Sequence, residues 1–173
     1  VLMIGIVDAG GTNIASIRNA MFRLEQKCQL VSDSEQLKNF SHLILPGVGH
    51  AAAAMTRITA LGLKPSIKSF RGPILGICLG LQLLFQSSEE GAVECLGFFP
   101  EKVVKLKPSP GLRVPNIGWQ ALSLGAHSAL LSGIPEDSFF YFVHSYFAPM
   151  TNFCVASIED RGQSFAAIVE SGN

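Results

Sequence analysis

Short apolar runs alternate with amphipathic stretches along the first half of the chain. Runs at 2–7, 43–45 and 73–77 predict strands, and stretches at 13–26, 50–60, 64–70 and 80–87 carry apolar residues at helical spacing. Strands followed by helices, joined by turns containing Gly and Pro, indicate βαβ units and a mostly parallel sheet. Right-handed crossovers would then place helices on both faces.

The second half changes character. Segments 96–99, 102–106, 139–147, 153–158 and 164–170 are rich in Val, Phe and Tyr. Turn signals stand at Pro108-Ser109-Pro110-Gly111, Gly133-Ile134-Pro135 and Arg161-Gly162, so hairpins are expected. The fold class predicted is α/β: a central, mostly parallel sheet flanked by helices, with antiparallel additions. There is no internal repeat, low-complexity tract or linker, and residues 1–173 are expected to form a single domain.

Composition narrows this picture. The chain is 48% hydrophobic and only 15% charged, against a usual charged share of roughly 25%. That balance suits a sheet buried on both faces and a surface covered by a partner. Thirteen basic and thirteen acidic side chains cancel. No basic block could follow a phosphate backbone, which argues against nucleic acid as a partner. Cys28, Cys78, Cys95 and Cys154 show no C-x-x-C spacing, so neither a metal site nor a disulfide framework is indicated, and no cofactor is called for. No apolar stretch approaches the roughly 18 residues of a membrane span, and the first seven residues read as a strand rather than a signal peptide. A soluble, reducing, cytoplasmic setting is expected.

The candidate chemistry centres on Gly76-Ile77-Cys78-Leu79-Gly80, between a predicted strand and a predicted helix. A nucleophile held at a strand-to-helix elbow needs a strained backbone, and small residues two positions to either side let strand and helix approach. A helix N-terminus favours the thiolate, and the Leu79 N–H is the natural oxyanion donor. A cysteine taken alone is more often a small buried hydrophobe; the order strand, Gly-x-Cys-x-Gly, helix argues otherwise. Leu43-Ile44-Leu45-Pro46-Gly47-Val48-Gly49 ends an earlier strand in a glycine turn, which can aim amides at the mouth of the sheet. With the cysteine turn it would make the two halves of an oxyanion hole.

Taken in order, Pro46 to Gly49, Gly76 to Leu84, Ser88-Glu89-Glu90, Val114 to Trp119 and Tyr141-Phe142-Val143-His144-Ser145-Tyr146 resemble the class I (triad) glutamine amidotransferases. Within that class they are most similar to the glutaminase subunits of imidazole glycerol phosphate synthase. The resemblance covers nearly the whole chain and implies a flavodoxin-like fold. It implies Cys78 as nucleophile on the glutamine amide, with the Val48 and Leu79 backbone N–H groups sheltering the oxyanion. Gly49, Gln82, Glu90, Ser145 and Tyr146 match positions that hold glutamine, Glu90 as the carboxylate for its ammonium group. Asn13 and Trp119 match positions at the interface with the synthase subunit, a (β/α)8-barrel cyclase expected as the other half of a heterodimer. A flip of the Gly47–Val48 peptide is a candidate switch coupling turnover to that partner.

A cysteine nucleophile needs a histidine to move protons and a carboxylate to orient it. In the family these come from a His-x-Glu motif near the carboxyl terminus. The 173 residues contain none and finish at Glu170-Ser171-Gly172-Asn173, where a turn follows a predicted strand. A terminal segment carrying the returning strand, His and Glu is therefore expected, and these residues alone should be nearly inactive. His50 and His144 match positions that are not the base; they read as a helix-start residue and a packed strand residue. Asn116 and Gln120 replace the His and Asn usual in the family, in the region implied to face the partner. The implied activity is hydrolysis of glutamine to glutamate and ammonia, delivered to the cyclase for imidazole glycerol phosphate in histidine biosynthesis. The alternatives are a glutaminase serving another amidating enzyme, a non-catalytic partner-binding scaffold, and a thiol sensor or other cysteine hydrolase built on the same elbow.

Overall fold

The computed structural model describes residues 3–11, 13–108, 114–125, 127–160 and 162–172. Contacts divide the chain into two compact units, one made of the chain up to Pro100 and the other of Glu101–Gly172.

The first unit holds a parallel sheet of β1 (Ile4–Val7), β2 (Cys28–Val31), β3 (His42–Leu45) and β4 (Ile74–Gly76), in the order β2-β1-β3-β4. Val7, Leu43, Ile44 and Leu45 are buried, and β1 and β3 read as the near-continuous apolar runs of a sheet covered on both faces. Helices α1 (Ile14–Arg23), α2 (Ala51–Ala60), α3 (Leu63–Lys68) and α4 (Leu79–Leu83) connect the strands. Helix α2 buries Ala51, Ala54, Met55 and Ile58, the i, i+3, i+4, i+7 stripe of a helix seated on a core. The register pairs Leu45 with Gly76. The carboxyl ends of β3 and β4 are thus level, and the turns that follow them leave the sheet side by side.

The helix expected over 80–87 stops short: Phe85–Ser88 is strand β5, paired antiparallel with β6 (Val93–Glu94). The carbonyls that a longer helix would have used are taken by the next segment. Leu83 O accepts from Leu96 N–H at 2.9 Å, Leu84 O from Phe98 N–H at 2.8 Å, and Phe85 O from Gly97 N–H at 2.9 Å. For the same reason 96–98 is not strand, and β7 begins at Phe99 (Phe99–Lys105). Strand β2 was not anticipated; with only four residues and an exposed Gln29 it carries no clean alternation.

In the second unit β8 (Asn116–Ala121) pairs antiparallel with β10 (Phe139–His144), and β11 (Tyr146–Phe147) pairs with β7. Strands β12 (Cys154–Asp160) and β13 (Gln163–Val169) form a hairpin, with β9 (Ser123–Leu124) on the other side of β12. The run 139–147 is thereby broken at Ser145 into two strands. Leu106, Leu122, Ala156, Ile158 and Phe165 form the core here, with Phe142 and Phe147 packed against it. The expected turn residues Ser109, Pro110, Gly111 and Arg161, with Leu2 of the first strand and Asn173, lie outside the described residues. The molecule is α/β, a parallel sheet with helices and antiparallel additions. Among the described residues no helix is long and apolar enough to cross a membrane.

Candidate active site

Cys78 stands between β4 and α4 with φ 55° and ψ −116°, a backbone conformation that L residues rarely adopt, and its side chain is exposed. Sterics explain the neighbours. A methyl group on Gly76 would stand 2.7 Å from both N and Cα of Leu81, and one on Gly80 only 1.7 Å from the carbonyl oxygen of Leu45. Helix α4 has five residues, so the dipole available to the thiol is that of little more than one turn.

The turn after β3 lies directly on this elbow. A methyl on Gly47 would meet Leu79 Cβ at 2.7 Å and Gly80 N at 2.9 Å. Ile77 N–H donates to Leu45 O at 3.0 Å, tying the two strand ends together. Leu79 is buried while Val48 is 40% exposed, and Gly49 takes φ +113° with open space around it. Three glycines and one strained cysteine thus bring the 46–49 turn and the 78–80 turn together in the first unit.

Two further expected residues belong to the same unit. Gln82 is half-buried on α4, and its N–H donates to Cys78 O at 3.3 Å. Glu90, in the turn between β5 and β6, accepts from Ala51 N–H at 2.7 Å, while its own N–H donates to the buried Ser88 Oγ at 3.1 Å. The carboxylate therefore sits at the start of α2, the helix that leaves the 46–49 turn. His50 Nδ1 accepts from Ala52 N–H at 3.2 Å, the helix-start role expected for it.

Ser145 and Tyr146 lie in the second unit, where Ser145 O accepts from Leu106 N–H at 2.8 Å and Tyr146 pairs with Lys105. His144 is held between Asn116 Nδ2 at 3.1 Å and the Tyr146 carbonyl at 3.2 Å. The amide must donate to Nε2 and the carbonyl must accept from Nδ1–H, which defines a neutral tautomer. Burial lowers its pKa below the ordinary value, against the smaller upward pulls of that carbonyl and Asp160. Asn116 is thus buried in this arrangement, on a strand whose neighbours Ile117 and Trp119 are exposed.

Trp119 is 67% exposed and meets Tyr141 edge-on, ring centroids 5.6 Å apart. The β8–β10 register pairs Trp119 with Tyr141, Ile117 with Val143 and Ala121 with Phe139. Ile117, Trp119, Phe139, Tyr141 and Val143 are all exposed, so one face of this ribbon is apolar and open. Asn13, at the start of α1, is exposed and makes no side-chain cap.

An ion pair escaped the sequence reading: Arg57 on α2 bonds Asp8, which follows β1, at 2.7 Å. The available signal was a lone carboxylate before Ala9-Gly10-Gly11, at the carboxyl end of a parallel strand where open α/β sheets carry their sites.

The family model of class-I glutamine amidotransferases matches residues 5–173, and the chain belongs to that family. It is similar to the imidazole glycerol phosphate synthase subunit HisH of Xanthomonas axonopodis pv. citri, 46% identical over 169 residues, covering 98% of this chain and 84% of that protein. The HisH subunit of Xylella fastidiosa (strain Temecula1 / ATCC 700964) matches to the same extent, 46% over 169 residues. A crystal structure of a glutamine amidotransferase superposes with a TM-score of 0.68 at 15% identity, covering 93% of this chain and 86% of that one. That likeness speaks for the fold, and the sequence relatives for the HisH branch of the class.

Proposed function

We propose that this chain is the glutaminase subunit of imidazole glycerol phosphate synthase, hydrolysing glutamine to glutamate and ammonia for a cyclase subunit in histidine biosynthesis. The observation that carries the reading is the 46–49 turn seated on the Cys78 elbow. The Cys78 thiolate attacks the side-chain amide carbon of glutamine. The carbonyl oxygen becomes an oxyanion, sheltered by the backbone N–H groups of Val48 and Leu79. Collapse breaks the carbon–nitrogen bond, ammonia leaves with the proton that the Cys78 thiol gave up, and a glutamyl thioester remains on Cys78. Water then attacks the thioester, releasing glutamate and restoring the thiol.

Gly49, Gln82, Glu90, Ser145 and Tyr146 are assigned to hold glutamine, Glu90 taking its ammonium group through charge-assisted hydrogen bonds. The two units act as one amidotransferase domain, in keeping with a family match that runs through both. The partner is a (β/α)8-barrel cyclase forming a cytoplasmic heterodimer. The open apolar face bearing Trp119 is assigned to it, since an exposed patch of large apolar side chains marks an interaction site, and Asn13 is assigned to it separately on the family resemblance. Ammonia released without a consumer is wasted, so turnover is coupled to the partner.

The test is glutaminase turnover of the full-length protein assembled with the cyclase, with and without the cyclase's substrate. Stimulation by the assembled, ligand-bound cyclase is expected. Turnover that ignores both partner and ligand contradicts the proposal.

A further inference from the structure

The loop after β1 meets the 46–49 turn that adjoins the Cys78 elbow, and an ion pair outside the glutamine-holding set ties them together. The loop after β1 runs Asp8-Ala9-Gly10-Gly11. Its second glycine rests on the peptide of Val48: a methyl on Gly11 would stand 3.3 Å from Val48 N and 3.4 Å from Val48 O. The loop is therefore the wall behind the proposed oxyanion donor. A void of about 10 Å³ lined by Ala9, Gly11, Asn13, Gly47 and Val48 separates the two loops, about the space of one water.

The wall is pinned from the other side. Asp8 Oδ1 accepts from Gly10 N–H at 3.0 Å, and Asp8 Oδ2 receives Arg57 Nη2 at 2.7 Å. The side-chain carbons of Arg57 lie over Gly10, where a methyl would meet Cγ at 3.5 Å and Cβ at 3.7 Å. Arg57 belongs to α2, which begins where the 46–49 turn ends. The connections close a ring: turn 46–49, α2, Arg57, Asp8, Gly10 and Gly11, and back to Val48. The Arg57 hydrogen bond also holds the Asp8 carboxyl below its ordinary pKa, so the pair is ionised at neutral pH.

We infer that Asp8 and Arg57 are positioning residues for the glutaminase reaction, fixing the loop against which the Val48 oxyanion donor is oriented. The inference rests on the functional reading above and adds two residues to it. Stability is a poor reason for the pair, because an ion pair with a half-exposed arginine contributes little to folding. Orientation of an amide toward a charge that exists only in the transition state is worth much more, since losing one such donor costs about 100- to 1000-fold in kcat.

Arg57→Gln, Arg57→Lys, Asp8→Asn and the double variant Asp8→Asn/Arg57→Gln test it in the assembled enzyme. Arg57→Gln is expected to lower kcat for glutamine by about tenfold with KM moved by less than about twofold, as for an interaction made mainly in the transition state. Arg57→Lys restores most of the rate, and the double variant is no worse than the poorer single one. The ¹⁵N-labelled protein supplies a readout independent of turnover. The Val48 and Gly11 amide resonances should move or broaden in Arg57→Gln and return in Arg57→Lys. Unmoved Val48 resonances, an unchanged kcat, or a fall in melting temperature alone would overturn the inference. A wild-type assembly of the full-length protein that hydrolyses no glutamine sinks the functional reading instead, and the Val48 amide then decides the positioning role by itself.

Discussion

The backbone amide of Ala51 donates to the carboxylate of Glu90 across 2.7 Å, so one side chain caps the helix that leaves the 46–49 turn and is also assigned to the ammonium group of glutamine. The two roles separate by substitution. Glu90→Gln keeps a carbonyl oxygen for Ala51 but removes the charge, and should raise KM for glutamine by about 10- to 100-fold, the loss of a hydrogen bond to a charged group. Its folding stability should change little. Glu90→Ala loses both, and urea denaturation should show a further cost of about 1 kcal/mol from the lost cap. If Glu90→Gln leaves KM untouched, the residue is a cap and nothing more.

Gly80 and Gly49 make a second contrast. A methyl at Gly80 would overlap the Leu45 carbonyl at 1.7 Å, whereas Gly49 has open space but φ +113°. Gly80→Ala must push β3 and α4 apart, and is expected to yield little folded protein. Gly49→Ala should fold with a loss of about 1–3 kcal/mol from backbone strain. Circular dichroism and denaturation distinguish the two, and equal tolerance at both sites would contradict the described approach of the turns.

How much of this could be read beforehand follows from where the determining contacts lie. The Cys78 elbow was legible because its requirements are local: small residues at 76 and 80 and an apolar strand before them. The 46–49 turn was legible for the same reason, and the parallel core of β1 and β3 because burial on both faces leaves continuous apolar runs. The end of α4 was not. Leu84 and Phe85 continue a helical apolar pattern, and only backbone donors from 96–98 end it. The Asp8–Arg57 pair spans 49 positions in sequence, and a charge on an amphipathic helix carries no mark of its partner. The Asn116–His144 hydrogen bond spans 28 positions and is unmarked in the sequence for the same reason.

His144 supplies a pH dependence whose sign follows from burial. Its pKa is lowered from 6.5 in the folded protein, so the unfolded chain takes up a proton first as the medium is acidified. The stabilisation is fully present above the unfolded pKa and is lost as pH falls through 6.5 toward the lower folded value. Asp8, whose folded pKa is lowered from 3.8, contributes in the same direction but only as pH falls below that value. Stability followed against pH should decline in two separated windows, and His144→Gln should remove the upper one. A wild-type profile flat from pH 7 to about 5, across the ordinary His range, would contradict the buried neutral imidazole.

Trp119 is exposed and meets Tyr141 edge-on. Trp119→Ala should leave the melting temperature nearly unchanged while weakening the cyclase complex by about 30-fold, or about 2 kcal/mol, as for a central aromatic anchor. Calorimetric titration against the cyclase measures it. Undiminished affinity would move the docking surface elsewhere.

The central claim is that a reactive thiol and a glutamine pocket share the elbow at residue 78. The direct measurement is alkylation by a glutamine-analogue electrophile, located by peptide mass spectrometry with and without excess glutamine. One adduct on Cys78, suppressed by glutamine but not by an unrelated amino acid, is the predicted result. Labelling spread over Cys28, Cys78, Cys95 and Cys154, or a Cys78 adduct that glutamine fails to suppress, would contradict it.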